Sequence, residues 1–299
     1  MFDLSIVLYL FFGGIGAGLF CVLAVAGFVR RRLGGGPEGT TMAFCRETET
    51  RNRAFRGCTV SLILVAVGIL SLLADLGRPA AAYLVFVSPR PTYITFGSYA
   101  LAALVGCTVF LMVYFVSDLP RFIRKVAPFV QGIGLAAALY VMVYTGLFLE
   151  DLSSVALWDS PFLPALFFVS SLSAGVSLAG ACRLLWSNPT RGSTRAAIRP
   201  DYAGFVCLVL ETLCAAGHIA FVGCRPGGAG IVAPLLLEEY ALTFYLGFVG
   251  CSIAVPAVCK IVGICRRCES WVIWTETVCV LVGGFCLRFV MVNAGMHAA

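Results

Sequence analysis

Long apolar runs follow one another along the chain, and the short segments between them hold most of the charged residues. A helix rises ~1.5 Å per residue, so about 20 apolar residues span a hydrocarbon layer of ~30 Å. Each run therefore predicts a membrane-crossing helix. The eight predicted helices cover residues 4–28, 57–74, 94–116, 128–149, 162–182, 202–223, 240–259 and 271–292.

Composition supports the same architecture. Of the 299 residues, 60% are hydrophobic and only 12% are charged, which is more apolar surface than a water-soluble core can bury. The net charge of +6 does not indicate nucleic-acid binding, because the basic residues lie in turns between the apolar runs. We predict an all-α polytopic membrane protein in the lipid bilayer, one domain over residues 1–299, with its eight helices in two four-helix bundles.

The distribution of Arg and Lys predicts the orientation, since short loops rich in them stay cytoplasmic. The loops after helices one, three, five and seven hold 17 of the 21 basic residues. Both termini are therefore expected outside, and the longest loop, roughly Val29 to Arg56, is expected to be a basic cytoplasmic connection. The first run lacks a basic start and ends in Arg30, Arg31 and Arg32, so we expect it to remain in the mature protein.

Cysteine and histidine limit the metal chemistry. Of the 14 cysteines, only Cys224 is expected outside, and the single CxxC pair of Cys265 and Cys268 supplies half of the ligands of a tetrahedral zinc site. A transmembrane b-type haem is usually held by two inward-facing histidines, whereas this protein has His218 in helix six and His297 in the tail. We expect no haem and no metal in this chain.

Charged side chains within the apolar runs cost about 2.5–3.5 kcal/mol or more at the bilayer centre unless they are paired. They are Glu211 in helix six and Glu276 and Arg288 in helix eight. Glu211 and His218 are seven residues apart and share a helix face. Two interpretations stay open: an interhelical pair, such as Glu211 with Arg288, and a role in proton or quinone handling.

Helix one contains the string GGIGAG at 13–18. Within an apolar run it cannot be a dinucleotide-binding loop, so it indicates close helix packing, although a bare backbone there would also admit a flat ring or a prenyl tail.

Proline-rich turns follow on the outer side. They are DLGRP at 75–79, PRPT at 89–92, and Trp158, Asp159, Ser160 and Pro161. Proline fixes φ, so these turns are rigid and suit a docked protein partner.

These segments together resemble the NrfD/PsrC family of polysulfide reductase-type membrane subunits. The resemblance runs through GGIGAG, DLGRP, PRPT, YTGLFL at 144–149, SPFLPALFFVSSLSAG at 160–175, Glu211, Pro256 and GGFCLRFVMVNAG at 283–295. It implies a haem-free, quinone-reactive anchor in a prokaryotic cytoplasmic membrane. The implied partners are an extracytoplasmic four-cluster ferredoxin-like iron-sulfur subunit and a molybdopterin or multihaem catalytic subunit.

The resemblance also implies a menaquinol pocket near the outer face, within the first four helices. Tyr144 lies about 24 Å from the inner end of helix four, at the depth of Asp75. A phenol and a carboxylate there can bond the quinol oxygens and take its protons, so both are candidate catalytic residues. The predicted quinone-binding residues are Gly14, Gly16, Gly18, Arg78, Tyr140 and Tyr144.

The residues leave two alternative functions open. One is a transporter or proton channel that uses Glu211, His218, Glu276 and Arg288 as a relay. The other is a structural anchor without a quinone site.

Overall fold

The computed structural model describes residues 4–33, 41–75, 93–117, 121–151, 155–186, 202–265 and 270–297. Regular structure in these ranges is helical, without strands. The helices are α1 (Leu4–Leu33), α2 (Thr41–Asp75), α3 (Tyr93–Val116), α4 (Arg121–Glu150), α5 (Phe162–Leu185), α6 (Tyr202–Gly223), α7 (Gly228–Leu236), a π-helix (Thr243–Ala254), α8 (Val255–Cys265) and α9 (Ser270–His297).

Eight helical segments in these ranges are long and apolar enough to cross a membrane, and the π-helix and α8 together form one of them. The predicted all-α architecture with eight spans is confirmed. The grouping into two four-helix bundles and the location of the termini outside stay predictions.

The connection predicted from Val29 to Arg56 is largely helical, which corrects the sequence analysis. Helix α1 continues to Leu33, and α2 begins at Thr41. Arg, Glu and Met favour helices, and water can solvate their side chains, so charged residues end an apolar run without ending the helix. Helix α2 therefore has 35 residues, and its membrane-crossing part begins at Arg51.

The seventh span changes its helical geometry along its length. The π-helix, with i→i+5 hydrogen bonds, ends at Ala254, and α8 begins at Val255. Pro256 lies in the first turn of α8, directly after the π-helix, and has no N–H to donate to a carbonyl group of the preceding turn. The short helix α7 precedes this span and was not predicted, because its nine residues cannot span a bilayer.

Helix α1 packs against α2, α4, α5 and α9. Its glycines let neighbouring backbones approach: a Cβ at Gly18 would lie 2.2 Å from the Ser171 carbonyl oxygen of α5. A Cβ at Gly16 would lie 2.6 Å from Val65 Cγ2 of α2. The GGIGAG string therefore forms the close-packing surface that the sequence indicated.

The helices turn apolar side chains outward and polar ones inward. On α6, Phe205, Val209 and Leu213 are exposed, whereas Glu211 and His218 are fully buried. This distribution suits lipid as the solvent.

One end of the bundle carries Arg30, Arg31, Arg51, Arg53 and Arg183. We call it the arginine-rich end, and the opposite end, where α1 begins, the arginine-poor end.

Candidate functional site

A group of tyrosines lies between α1 and α4, in the half of the bundle nearer the arginine-poor end. The hydroxyl groups of Tyr9 and Tyr144 interact, and both side chains are only 5% exposed. The Tyr140 ring, one turn deeper on α4, stacks on the Tyr144 ring with centroids 6.2 Å apart. Because a phenol both donates and accepts, this pair can bond a hydroxyl or a carbonyl oxygen of a ligand. We call these three residues the tyrosine cluster.

The backbone of α3 holds the Tyr144 ring in place. A Cβ at Gly97 would lie 2.4 Å from Tyr144 Cζ and 2.6 Å from Cε1. Any side chain larger than glycine at position 97 would therefore overlap the ring. On α1, one turn from Tyr9, a Cβ at Gly13 would lie 3.7 Å from the Tyr9 ring, which is ordinary van der Waals contact.

The predicted catalytic and quinone-binding residues divide into three sets. Tyr144 and Tyr140 lie together in the tyrosine cluster. The glycines face other neighbours: Gly14 faces Ser171 and Arg288, Gly16 faces α2, and Gly18 faces α5. Asp75 is the last residue of α2, but its side chain and the whole of Arg78 lie outside the described residues.

Helix α2 passes the cluster at Gly68. A Cβ on Gly68 would lie 2.9 Å from the Gly13 nitrogen and 3.5 Å from the Tyr9 carbonyl oxygen. Asp75 follows seven residues later, about 10 Å further towards the arginine-poor end at ~1.5 Å per residue. The last residue of α2 therefore lies closer to the arginine-poor end of the bundle than the tyrosine cluster does.

Arg288 of α9 is fully buried and joins three helices. Its Nε donates to the Leu10 carbonyl oxygen of α1 at 3.1 Å, Nη2 to Ser171 Oγ of α5 at 2.7 Å, and Nη1 to the Gly284 carbonyl oxygen at 2.8 Å. Leu10 directly follows Tyr9 in the sequence. The guanidinium group therefore fixes α1 at the level of the tyrosine cluster.

Glu211 of α6 is also fully buried. Its Oε1 accepts a hydrogen bond of 2.9 Å from Ser252 Oγ of the π-helix, while Oε2 makes none with the described residues. Ser170 lies between the two charged groups: its hydroxyl is 3.5 Å from Arg288 Nη1 and adjoins the Glu211 carboxyl group. The predicted direct Glu211–Arg288 pair is therefore not formed, and the two charges face each other across a serine.

The other members of the predicted relay lie apart. His218 is fully buried, and neither ring nitrogen bonds to a residue that the structure describes. Glu276 accepts a hydrogen bond of 2.5 Å from Lys260 Nζ, which joins α8 to α9. Glu276 lies twelve residues from Arg288, about 18 Å along α9. The structure therefore brings Glu211 near Arg288 but pairs Glu276 with a different residue.

No group of three or more His, Cys, Asp and Glu side chains in the described ranges could hold a metal ion. The side chains of Cys265, Cys268 and His297 lie outside the described residues.

Residues 1–298 match the family described as "Polysulphide reductase, NrfD". The protein belongs to the NrfD family. It is 24% identical to the C subunit of the polysulfide reductase of Wolinella succinogenes over 314 residues, which covers 97% of this sequence and 92% of the relative. With its eight apolar spans, this NrfD-family member is a multi-pass membrane protein.

Segments on which the NrfD resemblance rests meet around α1. They are GGIGAG with Gly14, YTGLFL with Tyr144, SSLSAG with Ser171, and GGFCLRF with Arg288. As a result, the tyrosine cluster and the hydrogen bonds of Arg288 involve adjacent residues of α1, Tyr9 and Leu10.

Sequence reasoning missed several partners. Tyr9 and Gly97 lie in apolar runs without a local motif, and Ser171 and Ser252 are ordinary small helix residues until a neighbouring helix is placed beside them. Lys260 was counted as a loop residue, yet it is only 9% exposed within α8. The sequence did contain one signal for the Lys260–Glu276 ion pair: the two residues lie on either side of the loop that joins two antiparallel helices.

Proposed function

We propose that this protein is the haem-free, quinol-reactive membrane subunit of an oxidoreductase complex, with its quinone site at the tyrosine cluster. Oxidation of menaquinol there would pass two electrons to the iron-sulfur clusters of a partner subunit and release two protons towards the arginine-poor end. The observation that carries the proposal is the buried Tyr9–Tyr144 pair, in a member of the NrfD family. An apolar setting with two convergent hydroxyl groups suits a flat, uncharged ring that bears two oxygens.

In this proposal the protein's own residues bind, orient and move protons. Tyr144 bonds one ring oxygen, and Tyr9 passes or receives the proton through the neighbouring hydroxyl group. Tyr140 provides an aromatic face for the ring or for the start of the prenyl tail. Asp75, at the end of α2, is the proposed proton acceptor on the way to the arginine-poor end.

The partner is proposed to dock at the arginine-poor end. A rigid turn precedes α5 there: Trp158 is 1% exposed, and its Nε1 donates to the Met291 carbonyl oxygen at 2.7 Å. Beside it, Arg225 and Asp159 form an exposed ion pair of 2.8 Å. We propose that an extracytoplasmic four-cluster ferredoxin-like iron-sulfur subunit occupies this surface, with a molybdopterin or multihaem catalytic subunit beyond it. The relative is named as one lettered subunit of a reductase, which accords with a complex of several polypeptides.

Substitution of the tyrosines tests the proposal. Tyr144→Phe and Tyr9→Phe each remove one hydroxyl group, so the complex is expected to assemble, while quinol-dependent reduction of the partner falls about 100-fold or more. Tyr202→Phe, at the exposed start of α6, is the matched control and should keep full turnover. Normal turnover in both cluster variants, with assembly intact, would place the quinone elsewhere.

A specific observation supports a second candidate function, proton movement along α6. Glu211 Oε2 and both His218 nitrogens are buried without hydrogen-bond partners among the described residues. The two residues share a face of α6 and lie about 10 Å apart along its axis. Glu211→Gln in liposomes should then abolish quinol-driven proton uptake and leave electron transfer in place. Loss of electron transfer in this variant would instead assign Glu211 to the quinone site.

A further inference from the structure

A cavity lies at the arginine-rich end, between α1, α2, α3, α4 and α5. Its volume is about 640 Å³, within the range of sites that hold small molecules. Leu19, the lining residue of α1 nearest in sequence to the tyrosine cluster, is ten residues from Tyr9, about 15 Å along the helix axis. The cavity is therefore separate from the proposed quinone site.

Charge at the mouth of this cavity has one sign. Five arginines line it, and no Asp or Glu is among the described lining residues. They come from three helices: Arg30 and Arg31 from α1, Arg51 and Arg53 from α2, and Arg183 from α5. Of these, Arg30, Arg31 and Arg183 are exposed, so their guanidinium groups attract anions at the opening, and a phosphate suits this planar, forked geometry best.

The inner part of the cavity is apolar. Its walls include Phe20, Leu23, Cys58, Leu111 and Ala179. Tyr114, Ser117 and Trp186 add aromatic and polar groups to the lining. An inorganic anion would leave the apolar walls uncovered, and an uncharged ring would bring no negative charge to the exposed Arg30, Arg31 and Arg183. An amphiphile with an anionic head and a hydrocarbon tail satisfies both parts.

Two polar contacts hold the walls in place. Arg51 Nε donates to the Phe115 carbonyl oxygen, which joins α2 to α3. Gln131 Nε2 of α4 donates to the Ala24 carbonyl oxygen of α1 at 2.6 Å. These bonds fix four of the five helices around the opening, so the cavity is built into the fold.

We propose that this cavity binds one anionic phospholipid, with its phosphate at Arg30, Arg31 and Arg183 and an acyl tail against the apolar wall. Basic pockets between transmembrane helices at the cytoplasmic side bind such head groups. The charge distribution predicts the same side for the arginine-rich end. The lipid joins α1, the helix that carries Tyr9 at its other end, to α2 and α5.

Native mass spectrometry of the full-length protein, purified in detergent with the subunits that accompany it, tests the proposal. The wild-type protein should retain one phosphatidylglycerol or cardiolipin and exchange it poorly for phosphatidylcholine. Each arginine near an anionic head group changes affinity about fivefold, so Arg30→Gln with Arg183→Gln should weaken retention about 25-fold. Both side chains are exposed at the rim, so their replacement should leave the fold intact.

Matched variants separate charge from shape. Lys125→Gln, near the start of α4, removes a positive charge outside the cavity lining and should retain the lipid as the wild type does. Ala54→Phe keeps every charge but fills the cavity, so it should also lose the lipid. Retention of anionic lipid by both cavity variants at the wild-type level would overturn the proposal. So would equal retention of phosphatidylcholine, or full displacement by millimolar inorganic phosphate, which would identify a free-anion site.

Discussion

The position of the Tyr144 ring depends on a residue that has no side chain, Gly97. Gly97→Ala adds a methyl group 2.4 Å from Tyr144 Cζ, so the ring must move away from α3. A misplacement of about 1 Å at a reacting group can reduce the rate about 100-fold. We expect Gly97→Ala to lower quinol-dependent turnover by about tenfold or more while the complex still assembles, as measured by quinol oxidation and by co-purification of the partner.

The control lies on the same helix. A Cβ at Gly106 meets nothing within 4 Å, so Gly106→Ala should keep wild-type turnover and assembly. If Gly97→Ala also keeps wild-type turnover, the Tyr144 ring does not hold the substrate.

A single residue was predictable where its type or its motif distinguishes it from the rest of the sequence. Arg288 is a charged group in an apolar run, and Tyr144 begins YTGLFL, a segment of the NrfD resemblance, so the sequence identifies both. Tyr9 and Gly97 gain their significance from contacts between α1, α3 and α4, and no spacing within one helix encodes such contacts. The direct Glu211–Arg288 pair, one of the two interpretations that the sequence left open, is not formed for the same reason: Ser170 comes from a third helix and lies between the two side chains.

At the scale of elements, the Lys260–Glu276 bridge joins α8 to α9 near the arginine-rich end. Its side chains are only 7% and 15% exposed, so removal of one partner leaves a charge with little water around it. Lys260→Met or Glu276→Leu alone should therefore lower the stability by about 3 kcal/mol. The double variant should recover most of that loss, since two apolar side chains replace a buried pair. Thermal unfolding of the purified protein in one detergent measures all three.

An exposed bridge provides the comparison. Arg225 and Asp159 lie 2.8 Å apart but are 32% and 54% exposed. Loss of this pair in Arg225→Gln should cost less than about 1 kcal/mol, because water and salt screen it. Equal losses at the two bridges would mean that the Lys260–Glu276 site is well hydrated.

The apolar runs predicted which elements exist better than they predicted where each begins. Hydropathy reports the membrane-crossing part, so the charged first part of α2 from Thr41 was placed in a loop. The π-helix was also beyond a pattern of apolar residues, since the change from i→i+4 to i→i+5 bonding leaves composition unaltered. Ser252, the partner of Glu211, lies on this π-helix.

At the scale of the whole molecule, the bilayer makes prediction simpler. Backbone groups in lipid must bond internally, so an apolar run of sufficient length is a helix, and the spans in the described ranges followed directly. The order in which helices pack was not predictable, because lipid and helix surfaces are equally apolar. Small residues such as Gly18 and Gly175, whose backbones touch, decide that order.

The orientation of the whole molecule is a prediction that a native cysteine can test. Cys224 is exposed at the arginine-poor end, which the 17 of 21 basic residues in the opposite loops predict to be outside. In intact cells that produce this protein without the proposed docking subunit, a membrane-impermeant maleimide should therefore label the wild-type protein, and Cys224→Ser should remove that labelling. Cysteine-containing tags inserted after Gly35 and Ser193 in the Cys224→Ser background should react only after the membrane is permeabilised. Labelling of these tags in intact cells, with Cys224 unreactive, would invert the topology and move the tyrosine cluster to the cytoplasmic half of the membrane.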